Sequence, residues 1–448
     1  MFPVKWLIIG ENRAWRWALG AAFMLLVLAI GYWPHQGDFA VLMALYVPAF
    51  LLYMLLYRQA HGRGNLLFFL LLGALIRLLL LPAMPLLSDD VYRFIWDGRL
   101  INSGINPFAH TPAFYLEAAN TVSGLNPDLY NKLNSPEYFT VYPPLAQATF
   151  ALACWIFPKS IWGAAIVMKL VLLIFEWGTL ALLPCLLRRM GLPEKGALLY
   201  ALNPLILIEV MGNLHFEGAM IFFLLLGLWL LSGGRWQVSA VAMALAVASK
   251  LLPLLFFPFF IRRLGWRKSI AYFSIAGIVL LVLFAPLLGE AFLAGFGSSL
   301  QLYFQQFEFN ASIYYLLRWL GYRISGYNLI AYIGPLLALV TLGSIVYLAF
   351  KDMQKDWQSL PGRMLLAICL YLALSPTVHP WYASLPVALA TMSRFRFPIL
   401  WSGLIWLTYI NYSYPEYYEN LWVVSLEYLA IYGLAIWEVR NGRNWIAN

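Results

Sequence analysis

A chain of 448 residues that is 62% hydrophobic and only 11% charged lies far from the roughly 25% charge of an average soluble domain, which excludes an ordinary globular protein. The formal net charge of +9 falls in short loops between apolar runs, with no basic stretch carrying interleaved aromatics. It is therefore read as a mark of one membrane face, and nucleic acid is not an expected partner.

In chain order, apolar runs fall at 16–32, 39–58, 64–82, 143–187, 196–210, 218–232, 236–261, 270–288, 328–350, 364–376, 382–393, 397–411 and 421–438. They predict an all-α polytopic membrane protein, a single integral-membrane unit over 1–448 with about 12 to 14 transmembrane helices. The first residues lack the features of a cleaved signal peptide, so the first run is expected to remain as a helix. Pro158-Lys159 interrupts 143–187. Ser249-Lys250 and Pro253 split 236–261 into two short, broken helices. Cys154, Cys185 and Cys369 sit within apolar runs at no metal-ligand spacing and are expected to be free, buried thiols.

Lys and Arg set the orientation. Clusters such as Arg58/Arg63, Arg188/Arg189, Arg262/Arg263 and Arg440/Arg443 place both termini in the cytoplasm. The loops at 83–142, 211–217, 289–327, 377–381 and 411–420 then lie on the outer face of the cytoplasmic membrane. That assignment requires either a re-entrant segment at 143–157 or an exception at Arg188 and Arg189.

The first long outer loop, 83–142, holds Asp89, Asp90, Asp97, Glu117, Asp128 and Glu137 against Arg93, Arg99 and Lys132, opposite in sign to the chain as a whole. From Asp89 to Asn102 the spacing predicts an amphipathic helix on the outer surface, with Asp90, Arg93 and Asp97 turned to water. Adjacent carboxylates at a membrane boundary repel and are costly to desolvate. Ser88-Asp89-Asp90 reads either as a capped helix start or as a mounted catalytic carboxylate, and the two are compatible.

Other candidate residues follow. Glu209, Asn213, His215 and Glu217 form a second polar cluster, readable as a structural turn or a ligand site; no Pro-Cys-x-x-Cys follows to complete a zinc-deaminase signature. His379-Pro380-Trp381-Tyr382 follows Ser375-Pro376 at a helix end. Arg77 and Lys250 are cations within or beside apolar runs, where charge by default signals function or pairing with an acid such as Glu176 or Glu209.

Together Ser88-Asp89-Asp90-Val91-Tyr92-Arg93 and the following Phe94 to Arg99, Gly104-Ile105-Asn106-Pro107-Phe108, Tyr142-Pro143-Pro144-Leu145, Asn203-Pro204, Ser249-Lys250 with Pro253, and His379-Pro380-Trp381-Tyr382 resemble the GT-C superfamily of polyprenyl-phosphate-sugar-dependent glycosyltransferases. The similarity is closest to its bacterial mannosyltransferase-like branch, and it covers most of the chain. Two extra helices precede the first large outer loop here. The resemblance implies an inverting transfer of a hexose, most simply mannose, from a lipid-phosphate donor entering from the bilayer to an outer-face acceptor on a glycan or glycolipid. A carboxylate in the first outer loop then serves as general base, with Asp90 preferred over Asp89. The leaving phosphate needs cations rather than an acid, for which Lys250, Arg93, Arg318, Arg323 and His379 are candidates. Tyr92, Trp96, Asp97, Tyr142, His215, Glu217, Trp381 and Tyr382 are candidates for holding sugar and acceptor. No metal or cofactor is called for. A flippase for lipid-linked sugar and a diphosphate-linked glycan polymerase or ligase are the alternatives; no internal repeat supports the former.

Overall fold

The computed structural model describes residues 14–289, 307–414 and 418–441, with 292, 293, 295, 297, 298 and 416 between them. In the expected outer loop 289–327, most positions from 290 to 306 therefore lie outside the described residues. Among those described the protein is all-helical, with a single isolated bridge between Phe309 and Thr377.

The elements are α1 (Ala14–Tyr32), α2 (Phe39–Gln59), α3 (Gly62–Leu79), α4 (Asp90–Asn102), α5 (Pro127–Tyr130), α6 (Pro144–Ile156), α7 (Ile161–Arg189), α8 (Leu198–Ala201), α9 (Pro204–Ile206), α10 (Glu217–Ser232), α11 (Trp236–Ser249), α12 (Phe260–Leu264), α13 (Trp266–Phe284), α14 (Ile313–Ser325), α15 (Ile330–Lys351), α16 (Leu360–Leu374), α17 (Ser384–Ala390), α18 (Phe397–Leu404) and α19 (Leu421–Asn441). Seven of them, α1, α2, α3, α7, α13, α15 and α19, are long and apolar enough to cross a membrane. The chain is a polytopic membrane protein.

The remaining apolar runs form shorter or broken helices. Asn203-Pro204 bends Glu194–Ala201 against Pro204–Gly212 by 51°, because the Asn203 carboxamide accepts from the Leu205 N–H while Pro204 starts a new turn. Counted as one span, that pair gives up to eight. The helices α6, α10, α11 and α16 have 13 to 16 residues, about 20–24 Å at 1.5 Å per residue, short of a 30 Å hydrocarbon core. The expected break at Lys250 is present: Lys250 is extended, and Leu252–Phe259, which contains Pro253 and Pro258, continues as a 3-10 helix rather than a second α-helix, each proline lacking the N–H that an α-helical turn would use. The segment at 143–157 is the short helix α6.

Two readings are corrected. The helix α4 packs against α6 instead of floating at an interface, and Asp97 and Arg93 are buried with Trp96 and Phe94. Arg93 Nε meets Asp97 Oδ1 at 2.8 Å, Thr140 and Gln147 donate to the other oxygen, and the polar stripe is satisfied inside the protein. Of the cysteines only Cys154 is buried; Cys185 lies on an exposed face of α7. Arg77 pairs with Glu176 at 2.8 Å in the buried contact of α3 with α7, the pairing alternative for this cation. The helix α14 is amphipathic, burying Tyr314 and Tyr315 and exposing Leu316, Trp319, Leu320 and Ile324.

Candidate active site

Two cavities meet where helix ends converge. The first, about 360 Å³, is polar on the side of Ser88, Asp89, Asp90, Asn134, Tyr138 and Glu308, and aromatic on the side of Phe309, His379, Tyr409 and Tyr412. The second, about 340 Å³, runs along Leu251, Leu252, Leu254, Leu255, Phe94 and Phe216 and contains Glu217, Lys250 and Tyr382. Asp90, Val141, Tyr142 and Trp381 line both.

Asp90 owes its place to the start of α4. Asp89, not Ser88, is the N-cap, and the Ser88 hydroxyl accepts from the Asp90 N–H at 3.4 Å. Asn134 Nδ2 donates to Asp90 Oδ1 at 2.8 Å, and His215 Nε2 stands 3.8 Å from Oδ2. Asp89 lines the polar cavity alone. Burial and then the neighbouring Asp90 raise its pKa above the ordinary carboxylate value, as like charges disfavour a second ionisation.

The His-Pro-Trp-Tyr stretch supplies a column of rings. Trp381 is sandwiched between His215, with centroids 3.9 Å apart, and His379, with centroids 4.4 Å apart, and His379 rests in turn on Phe309 at 4.7 Å. Both faces of Trp381 are thereby covered, so the sugar stacking expected of it has no open face; its edge borders the cavities. The histidines diverge in charge. Burial lowers the pKa of His215, but the hydrogen bond its ring donates to Glu209 and the carboxylates of Glu209, Glu217 and Asp90 outweigh it, leaving the value above that of an ordinary imidazole. Burial, then Lys250 and His215, bring His379 down to about 3, so it is a neutral ring at pH 7. Its Nδ1 has no hydrogen-bond partner among the described residues.

Lys250 projects from the break after α11 to the Glu217 carboxylate, with its ammonium 4.5 Å from the Tyr382 ring centroid. A cation thus lies beside a wall of leucines, an arrangement suited to an anion on an apolar tail.

Of the residues singled out from sequence, Asp89, Asp90, Arg93, Tyr142, His215, Glu217, Lys250, His379, Trp381 and Tyr382 line one cavity or both. The others stand apart. Asp97 and Trp96 are buried side chains of α4 itself, Tyr92 faces Lys132, and Arg318 is one contact removed, paired with Glu308 and packed on Tyr315. Arg323 packs on Trp319. Sequence reading missed Asn134 and Glu308, which lie in connections, and Tyr409 and Tyr412, which lie in the 3-10 helix Ile405–Tyr412, all with no motif around them.

The protein is thus a polytopic membrane protein with a carboxylate between a polar and a cation-bearing apolar cavity. A family model described as alpha-(1->6)-mannopyranosyltransferase, N-terminal domain, matches residues 22–265, more than half of the chain, and the protein belongs to that family. The matched region holds Asp90, His215, Glu217 and Lys250; Trp381 and His379 lie beyond it. Among curated relatives, alpha-(1->6)-mannopyranosyltransferase A of Mycobacterium tuberculosis is 24% identical over 343 residues, 69% of this chain and 62% of that protein. A probable alpha-(1->6)-mannopyranosyltransferase of Mycolicibacterium smegmatis is 28% identical over 221 residues, 42% of this chain and 38% of that protein. Alpha-(1->6)-mannopyranosyltransferase B of Corynebacterium glutamicum is 27% identical over 157 residues, 35% of this chain and 25% of that protein. The matches thus span less than two-thirds of each relative's length.

Proposed function

We propose that the protein is an inverting mannosyltransferase that takes mannose from a polyprenyl-phosphate donor and passes it to a hydroxyl of a glycan or glycolipid acceptor at the outer face of the cytoplasmic membrane. The observation that carries this reading is the placement of Asp90 at the meeting of two cavities of opposite character. The leucine-lined cavity suits a prenyl chain, with Lys250 at its phosphate. The polar cavity suits an acceptor, with Asp90 facing the sugar between them.

In the reaction the acceptor hydroxyl oxygen attacks the anomeric carbon and its proton passes to the Asp90 carboxylate. The bond from that carbon to the phosphate oxygen breaks, and the phosphate leaves with the electron pair. A positioned base of this kind contributes roughly 10²–10⁴-fold. Lys250, with the neutral imidazole of His379 nearby, stabilises the charge developing on the phosphate. Single displacement turns a β-linked donor into an α-linked product, in keeping with the α-(1→6) linkage named for the relatives.

Purified protein in liposomes, given radiolabelled polyprenyl-phosphate mannose and a mannoside acceptor, should form an α-linked product and ignore nucleotide-linked mannose. Transfer from the nucleotide sugar, or none from the lipid donor, would contradict the reading.

A further inference from the structure

The chain between Leu207 and His215 departs twice from ordinary backbone. Leu207–Gly212 is a π-helix, a form often found at functional sites. Leu214, fully buried, has φ of 65°, a left-handed conformation that a bulky residue rarely adopts. Both departures converge on His215, whose backbone N–H at 3.2 Å and ring Nδ1 at 2.8 Å meet the same Glu209 carbonyl oxygen. A carbonyl can only accept, so Nδ1 carries a hydrogen. Nε2 is then the atom left to face Asp90, and it has no hydrogen-bond partner among the described residues. The Glu209 carboxylate lies 3.4 Å from Nδ1, held by Asn213 and by the Tyr409 hydroxyl, each at 3.0 Å.

We propose that His215, tethered by Glu209, is a positioning residue whose protonated ring, with Nε2 3.8 Å away, pairs as a charge with one oxygen of the Asp90 carboxylate while Asn134 donates to the other. This inference rests on the transferase reading above and gives His215 a role on the base instead of on the sugar. The acceptor's proton goes to Asp90, and His215 keeps its own throughout. The groups facing His215 favour the charged ring: Asp90 from α4, Glu209 with Tyr409 behind it, Glu217 from α10, and the π-face of Trp381. Lys250 is paired with Glu217, and His379 is neutral.

The test uses the full chain with polyprenyl-phosphate mannose. His215→Phe keeps the ring stack on Trp381 but removes Nε2–H, so kcat should fall about 100-fold while the donor KM stays within about twofold. His215→Gln restores an N–H near the Nε2 position and should recover to within about tenfold of wild type. In the wild type, activity should fall at alkaline pH as His215 loses its proton; Glu209→Gln should move that limb to lower pH, and His215→Gln should abolish it. Wild-type kcat in His215→Phe, a raised donor KM with kcat unchanged, or an alkaline limb persisting in His215→Gln would overturn the proposal. If the wild type transfers nothing, the transferase reading fails by itself. The pairing is then read from the His215 titration by nitrogen-15 NMR: Asp90→Asn should lower its midpoint, and an unmoved midpoint would overturn the pairing.

Discussion

Asp89 and Asp90 are neighbours in sequence with different environments, and the difference is thermodynamically readable. A carboxyl whose pKa is raised by folding adds stability that is fully present below its unfolded value near 3.8 and is lost as pH rises through the folded value. Asp89→Asn removes that loss. The variant should melt higher than wild type at pH 7 in detergent, with the gap closing towards pH 4; a lower melting temperature at pH 7 would show that the Asp89 charge is stabilising. The adjacent acids were legible in the sequence, as were His215, Glu217, Lys250 and the His-Pro-Trp-Tyr stretch, because polar residues are conspicuous in a chain this apolar. Asn134 was not, since its contact with Asp90 crosses 44 positions and a loop asparagine carries no signal of its own. Nor was the strain at Leu214, a backbone property that no side chain announces.

At the scale of elements, periodicity located α4 correctly but not its surroundings. The spacing of Asp90, Arg93 and Asp97 defines a polar stripe, and such a stripe is satisfied equally by water or by buried partners. Here Thr140 and Gln147, from the approach to α6 and from α6 itself, close the Arg93–Asp97 pair. The two helices touch at Gly98, where an added Cβ would lie 2.4 Å from the Phe150 carbonyl oxygen and 2.8 Å from Cys154 Sγ. Backbone cannot yield as a flexible side chain does, so Gly98→Ala should push α4 away from α6. The expected cost is about 1–3 kcal/mol, with Asp90 displaced. A lowered melting temperature together with a drop in kcat checks this; a variant with wild-type stability and activity would show that the contact gives way easily.

For the whole molecule, apolar length announced a membrane protein and basic residues proposed its orientation; among the described residues seven helices, or up to eight, are long and apolar enough to span, and others such as α10 and α11 are shorter. These short helices matter to the site, because they end inside the bundle and carry Glu217 and Lys250 to one place. The proposed orientation makes its own prediction. In a cysteine-free background, Asp128→Cys in the first long loop should react with a membrane-impermeant maleimide in intact cells, and Lys268→Cys, in the first turn of α13 within a basic cluster, should react only after lysis. Both positions are exposed. The reverse pattern would invert the protein and place the cavities in the cytoplasm.

The proposed chemistry turns on Asp90 accepting the proton of the attacking hydroxyl. Its most direct test is single-turnover transfer from polyprenyl-phosphate mannose by wild type, Asp90→Asn and Asp89→Asn, with folding checked by monodispersity. Asp90→Asn should slow the transfer step by about 10³-fold with donor binding retained, while Asp89→Asn should change it by less than about tenfold. A wild-type rate in Asp90→Asn, or the larger loss in Asp89→Asn, would contradict it.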